Sequence, residues 1–258
     1  MNDPIVESLN YRLKLSEDIS FDNPPPLEEE LPSFKLKLNA GILEIEMKDF
    51  FSSERQARAS VEPFLKAWEL DNFLDRGHKE FWFEFINSKI VDRNPPPADD
   101  SKVIKAEVGE LLITGHSITV HITRKNYPSP PTKLLCTPDV ESLLKRYEGF
   151  LQGSEPLISM AYFCLSLLQS SADGRGKASI KYNINKTVLD KLGELTSERG
   201  DKTEARKLDK FSTLISLTDT ERTWIRETIK LIIRRKAEYD FDPTATFPFI
   251  KLNSLPTL

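Results

Sequence analysis

A short apolar run in the second half of the chain most constrains the fold. Residues 156–168 read PLISMAYFCLSLL, and their apolar positions extend almost all the way around a helix. Pro156 suits the first turn of a helix, and Ser154 just upstream is a candidate cap. The run is too short for a bilayer, which needs about 20 residues. It therefore predicts the central helix of a bundle, covered on nearly all sides by other helices.

Further helices are predicted on either side of this run. A helix over residues 139–151 precedes it, and Asn185 is placed to cap an amphipathic segment after it. Thr218 and Glu221 have the spacing of a capping box, in which each side chain accepts a backbone N–H of the other residue. The helix that they begin has an apolar stripe and ends before Pro243. The second half is thus predicted to be a helical bundle.

The first half alternates between apolar and polar residues, as strands do. Alternating runs at residues 9–15, 34–38 and 42–47 are followed, after a helical pattern, by residues 80–91, where three phenylalanines share one face. The helical pattern between them contains Pro63, which predicts a kink or a break. We expect the phenylalanines to pack under this helical segment.

Proline clusters separate these elements. Residues 24–30 combine three prolines with three glutamates, and we interpret them as an exposed loop. After a second cluster at residues 95–97, paired strands are predicted over residues 103–113 and 117–124. The predicted fold class is α+β: a mostly antiparallel N-terminal sheet with one packed helical segment, followed by a C-terminal helical bundle.

The proline-rich region around residues 128–138 gives the best domain boundary. Proline fixes the backbone and removes hydrogen-bond donors, so neither half can absorb this region as regular structure. We predict a sheet-rich α+β domain over residues 1–133, a connection over 134–138, a helical domain over 139–242 and an extended tail over 243–258.

Three histidines and two cysteines leave little room for metal or nucleophilic chemistry. His116 and His121 are an odd number of residues apart in a predicted strand, so they point to opposite faces. The sequence has no His-Glu-x-x-His motif and no paired Cys-x-x-Cys clusters. Cys164 lies in the apolar helix and Cys136 in the proline-rich region, and we expect both thiols to be free. No catalytic residue, metal site or cofactor is predicted.

Phosphate-binding loops are also missing from the sequence. Among 10 glycines there is neither a G-x-x-x-x-G-K-[ST] motif nor a G-x-G-x-x-G motif. The nearest feature is the basic stretch at residues 174–177, which we interpret as a short connecting turn. We therefore expect a protein that is not an enzyme. The alternative enzyme hypothesis requires an unfamiliar site in the sheet domain, where a histidine meets carboxylates in a cleft.

Basic residues of the C-terminal helices form the one pattern with a physical link to a ligand. In the last helix four of them recur every fourth residue, so they make one slowly drifting row, which Arg235 and Lys236 extend. Such a row can follow the phosphates of a nucleic acid. The candidate nucleic-acid-binding residues are Arg175, Lys177, Lys186, Arg222, Arg226, Lys230 and Arg234. The alternative is an ordinary solvated face on which carboxylates neutralise the cations.

Charge and hydropathy complete the sequence-based hypothesis. Residues 1–135 carry about 17 basic and 23 acidic side chains, and the remainder about 19 and 17, so an anion-binding surface belongs to the second half. No run is long enough to span a membrane and no basic-then-apolar leader begins the sequence, which predicts a cytoplasmic protein without a membrane partner.

The leading functional hypothesis is a non-enzymatic interaction protein or assembly subunit. Its C-terminal helices would contact another protein. The alternative partner is a nucleic acid, bound by the basic rows. Exposed apolar side chains on these helices would favour a protein partner, whereas basic residues exposed together would favour an anionic one.

Overall fold

The computed structural model describes residues 3–94, 121–199 and 215–258. The fold is α+β, as the sequence predicted, with an antiparallel sheet in the first half and a cluster of helices in the second. The predicted strand over residues 103–113, most of the strand over 117–124, and His116 lie outside the described residues.

The chain divides into two compact units. The sheet unit comprises Met1–Leu65 and Arg76–Ser129, and the helical unit comprises Lys66–Asp75 and Pro130–Leu258. Ten residues from the first half of the chain thus belong to the helical unit. The sequence-based domain boundary at residues 134–138 stays a prediction.

The strands, in chain order, are β1 (Pro4–Leu15), β2 (Ile19–Phe21), β3 (Leu27–Glu30), β4 (Phe34–Asn39), β5 (Ile42–Met47), β6 (Phe81–Asp92) and β7 (Ile122–Arg124). Five of them form an antiparallel sheet in the order β3-β4-β5-β1-β6. The two short strands β2 and β7 pair in parallel. The predicted hairpin is confirmed, and its turn places Ala40 (φ 47°) and Gly41 (φ 76°) in the left-handed region.

The interpretation of residues 24–30 as a loop is wrong for its second half. Leu27–Glu30 pairs with β4 as an edge strand. An edge strand needs only one neighbour, and the neighbour here supplies the missing charge: Glu28 lies opposite Lys37, and their side chains form an ion pair of 2.7 Å. Cross-strand charge complementarity therefore offsets the repulsion among the glutamates, which the linear sequence does not show.

One face of the sheet is buried and the other is charged. Leu36, Leu43 and Ile45 are fully buried on the inner face. On the outer face the sign of the charge alternates from strand to strand, because Glu28 of β3 faces Lys37 of β4, which in turn faces Glu44 of β5. The glutamates of β5 thus lie on a solvated face, as the period-two alternation predicted.

The helices are α1 (Glu54–Arg76), α2 (Pro138–Leu151), α3 (Leu157–Ser170), α4 (Arg175–Lys181), α5 (Lys186–Glu198) and α6 (Asp219–Phe241), with a 3-10 helix at Leu252–Ser254. α1 continues through Pro63, so the predicted break does not occur. The carbonyl that loses its partner belongs to the exposed Ala59, where water can bind it. The basic stretch at residues 174–177 is the start of α4 rather than a connecting turn.

In the sheet unit, the aromatic side chains of β6 pack as expected. Phe81 is buried, and the ring of Phe85 lies 5.4 Å from that of Tyr11. The guanidinium of Arg58, on α1, stacks over Phe85 at 4.2 Å.

Helix caps in the second half follow the sequence closely, with one exception. Thr218 and Glu221 form the predicted capping box, and the Asn185 side chain accepts the N–H of Thr187. Ser154 does not cap α3, because its hydroxyl donates to the carbonyl of Gly149. The α3 helix instead begins after Pro156 without a side-chain cap.

α3 lies at the centre of the helical unit, where it contacts α2, α4, α5 and α6. Its fully buried residues are Leu157, Ile158, Met160, Ala161, Cys164, Leu165 and Leu168. Phe163 and Leu167, in contrast, are only half-buried. The predicted cover of this helix on nearly all sides is therefore incomplete among the described residues.

The C-terminal tail is anchored to the helical unit. Ile250 forms an isolated parallel bridge with Ile184, between α4 and α5, and its side chain is buried together with that of Leu255. The predicted extended tail thus contains both a strand-like contact and the 3-10 helix at Leu252–Ser254.

Candidate functional site

The basic row of α6 is in large part paired with carboxylates inside the helical unit. Arg234 donates to Asp71 at 2.8 Å and to Asp75 at 2.7 Å, and Lys230 donates to Glu227 at 3.0 Å. Each of these cations is therefore neutralised without a ligand. Two further members of the row, Arg222 and Arg226, are considered below.

Arg222 is half-buried, whereas Arg226 is exposed. Arg226 forms no ion pair with a carboxylate of the described residues. It is therefore the member of the α6 row that is best placed to meet an anion. A single exposed arginine does not reproduce the line of charges that the sequence predicted along this helix.

The predicted basic residues of α4 and α5 are also paired. Arg175 and Lys186 share one carboxylate, that of Asp190, at 3.2 and 2.7 Å. The ion-paired hydrogen bond from Lys186 and then that from Arg175 hold the pKa of Asp190 below its usual value. Lys177 forms an ion pair with Asp173 one turn before it.

Arg235 and Lys236 do not extend the basic row on the surface. Only 5% of each residue is exposed, so both are interior groups. The Arg235 guanidinium donates to the carbonyl oxygens of Tyr182 at 2.8 Å and Pro248 at 2.7 Å. Lys236 donates to Asp240 at 2.6 Å. Their role is structural, and the prediction that they continue the row is wrong because the last turns of α6 lie against other segments of the unit.

A groove lies between α2 and α3 on the surface of the helical unit. Two adjoining depressions, of about 710 and 410 Å³, follow these two helices and share the ring of Phe163. We call them together the α2–α3 groove. Its lining includes Phe163 and Leu167, the half-buried apolar side chains that leave α3 incompletely covered.

Small residues make the α2–α3 groove accessible to another backbone. Serine and glycine recur along it, and the members are Ser142, Gly149, Ser154, Ser166 and Ser170. Short side chains at such positions let a second helix approach to the usual packing distance of about 8–10 Å.

Polar contacts fix the shape of the groove around Phe163. The guanidinium of Arg146 stacks on this ring at 4.5 Å and forms an ion pair of 3.0 Å with Glu155. Two other charged lining residues, Lys145 and Glu148, form no side-chain pair with the described residues. They lie one turn apart on α2, with the lysine nearer the N-terminus, which is the less favourable order for an ion pair within a helix.

This groove was not predicted from the sequence. The apolar residues of α3 were visible, but their completeness around the helix predicted that other helices cover them. Only the packing of α2 on α3 shows which side remains open. The recurrence of serine in 159-SMAYFCLSLLQSS-171 was the available sign that one side of this helix tolerates a close neighbour.

Two histidines lie among the described residues of the sheet unit, His78 and His121. The Nε2 atom of His78 lies 3.9 Å from a carboxylate oxygen of both Asp18 and Glu80, and His121 contacts the hydroxyl of Ser20. The depression of about 530 Å³ in this unit has neither a histidine nor a carboxylate among its described lining residues. The enzyme hypothesis, which requires a cleft that joins a histidine and carboxylates, stays a prediction.

In the described segments the potential metal ligands are dispersed, and the two thiols are buried. Within residues 3–94, 121–199 and 215–258, no three histidine, cysteine or acidic side chains are grouped to hold a metal ion. Cys136 and Cys164 are both free and buried. Burial, the largest cause, raises the pKa of the Cys136 thiol to about 12, so it stays protonated at neutral pH.

Comparisons with protein-family models, with curated proteins and with solved structures gave no match for this chain. None of the helices in the described ranges combines the length and the apolar character that crossing a bilayer requires.

Proposed function

We propose that this chain is a non-enzymatic cytoplasmic interaction protein, and that the α2–α3 groove is where its helical unit binds a helix of a protein partner. The half-buried apolar side of α3, with Phe163 and Leu167 in the groove, carries this proposal. A partner helix with an apolar stripe would complete the cover that an all-round apolar helix requires. The two free, buried thiols agree with a reducing compartment.

The charge pairing supports a protein partner over a nucleic acid. Five of the seven predicted nucleic-acid-binding residues form ion pairs within the unit, and these are Arg175, Lys177, Lys186, Lys230 and Arg234. Nucleic-acid affinity depends on cations that are free to displace counterions from phosphates. Cations that already have carboxylate partners contribute less to such binding.

A bulky substitution inside the groove tests the proposal. Ser166→Arg places a long side chain where the partner helix would lie, and Ser197→Arg makes the same change on an exposed position of α5. Tagged wild-type and variant chains would be incubated with an extract of the cells that produce the protein. A protein recovered by both the wild type and Ser197→Arg would then be purified and titrated against all three chains.

We expect at least a tenfold loss of affinity for Ser166→Arg and no change for Ser197→Arg. Circular dichroism and thermal melting would establish that both variants remain folded. Equal affinity of a folded Ser166→Arg variant for the purified partner would refute the groove as the docking site.

A nucleic-acid partner is the second candidate, and the exposed, unpaired Arg226 favours it. Fluorescence anisotropy with mixed DNA and RNA fragments at about 50 and 200 mM salt separates the two functions, because phosphate binding weakens steeply with salt. Salt-sensitive binding that Arg226→Ala and Lys230→Ala weaken would establish the basic row as a working surface. Its absence at low salt would remove this candidate.

A further inference from the structure

The two unpaired charges of the α2–α3 groove identify a partner that would satisfy both. Lys145 and Glu148 line the groove, one turn apart on α2, and neither forms a side-chain pair with a described residue. Any helix that lies over them must offer a carboxylate to the lysine and a cation to the glutamate at the same spacing. A second copy of α2, running antiparallel, offers both.

We infer that the partner is a second copy of this chain, bound through α2 and α3 about a two-fold axis; this inference rests on the function proposed above. In such an interface, residue i of one copy contacts residue j of the other, and j contacts i. An axis that crosses α2 between Lys145 and Glu148 therefore places each lysine opposite the glutamate of the other copy. One symmetry operation forms two ion pairs.

Apolar contacts lie beside the same axis. Arg146, between the two unpaired charges in sequence, stacks on Phe163 of α3, so the ring is close to the point that the axis would cross. Two helix hairpins that pack in this way make a four-helix bundle, in which each half-buried Phe163 is covered by the other copy. The serine and glycine positions along the groove permit the close approach that this packing needs.

The size of the surface determines how stable the dimer is. Each helix of the hairpin has 14 residues and is therefore about 21 Å long. Two such helices side by side give a contact at the small end of the range for stable complexes, about 600 Å² per partner. We expect a reversible dimer with a dissociation constant in the micromolar range, roughly 1–100 µM.

Sedimentation velocity of the full chain from about 1 to 300 µM tests the inference. The wild type should pass from one mass to twice that mass over this range. Lys145→Glu and Glu148→Lys each set like charges opposite one another, and each should raise the dissociation constant at least tenfold. The double variant, Lys145→Glu with Glu148→Lys, restores opposite charges across the axis and should dimerise like the wild type.

Controls make each outcome decisive. Ser197→Arg, which adds a charge at an exposed position of another helix, should leave the dissociation constant unchanged. Because both groove charges are unpaired, melting temperatures of all variants should agree. A single-chain mass at every wild-type concentration overturns the inference, as does a dimer that ignores the single reversals or is not restored by the double variant.

These failures are distinguishable from failure of the proposed function. The chain could stay monomeric while Ser166→Arg abolishes binding of a purified partner. That result would establish the groove as a docking site and exclude only a second copy of the chain as its ligand. A dimer that the groove variants leave intact would instead place self-association elsewhere.

Discussion

The Arg235 side chain gives the sharpest test of how the helical unit is held together. It is interior, and its guanidinium donates to the carbonyls of Tyr182, Asn183 and Pro248 and to the carboxylate of Glu238. These contacts join α6 to the segment between α4 and α5 and to the C-terminal tail. We expect that Arg235→Met, which keeps an unbranched apolar side chain and removes every donor, destabilises the unit severely.

The contacts set the magnitude. A hydrogen bond to a charged group contributes about 1.5–3 kcal/mol, but four bonds to one guanidinium are not additive. Removing the cation also removes its own desolvation cost, so the loss is smaller than the sum of the four bonds. We therefore expect a loss of about 3–5 kcal/mol, the range for breaking a buried charged pair. With a slope of about 2 kcal/mol per molar urea, the unfolding midpoint falls by about 2 M.

Tryptophan fluorescence during urea unfolding reports this change. Trp68 and Trp224 are both buried in the helical unit, so their emission follows its unfolding. Arg226→Met, an exposed arginine of the same helix, is the matched control and should shift the free energy of unfolding by less than about 0.5 kcal/mol. The reasoning about the buried guanidinium is refuted if Arg235→Met lowers the free energy of unfolding by less than about 1 kcal/mol.

Three further predictions concern the helical unit. Thr218→Ala removes one half of the capping box of α6 and should cost about 1 kcal/mol in urea unfolding, whereas alanine at an exposed mid-helix threonine should cost less. Cys136 and Cys164 should resist iodoacetamide at pH 8 in the folded chain, because burial raises the pKa of both thiols. Mass spectrometry should show two adducts only after unfolding. Burial opposes the charge of Lys236, but the ion pair with Asp240 outweighs this effect and raises the pKa of Lys236 above the ordinary 10.5. The stabilisation from this ion pair is therefore complete below pH 10.5 and is lost as the pH rises through the pKa of the folded state. The fall in the urea midpoint above pH 10.5 should therefore be shallower in Lys236→Met than in the wild type.

Local features of the chain were predictable from the sequence because their causes are local. The capping box of α6 depends on two residues three positions apart, and Thr218 and Glu221 fulfil it as expected. The hairpin of β4 and β5 likewise follows from alternation and from a turn that places Gly41 at positive φ. Burial of Trp224 follows from the apolar stripe that these patterns define.

The pairing of Arg234 in the basic row was not predictable, since its carboxylate partners are distant in sequence. Arg234 pairs with Asp71 and Asp75, which precede it by more than 150 residues and arrive through the second half of α1. Nothing in the spacing of Arg234 with its neighbours on α6 indicates these carboxylates. The pairing depends on how the helices pack, and so does the side of α3 that the groove leaves open.

The acidic edge strand of the sheet has a consequence for solubility. Strand β3 is an edge of the five-stranded sheet, and three of its four residues are glutamates. Two copies that met edge to edge along the whole of β3 would place carboxylate against carboxylate, which discourages fibre-like growth of the sheet. Ion-paired hydrogen bonds from Lys37 and Lys48 lower the pKa of Glu28 and Glu30, so this protection extends to more acidic solutions than unpaired glutamates would allow.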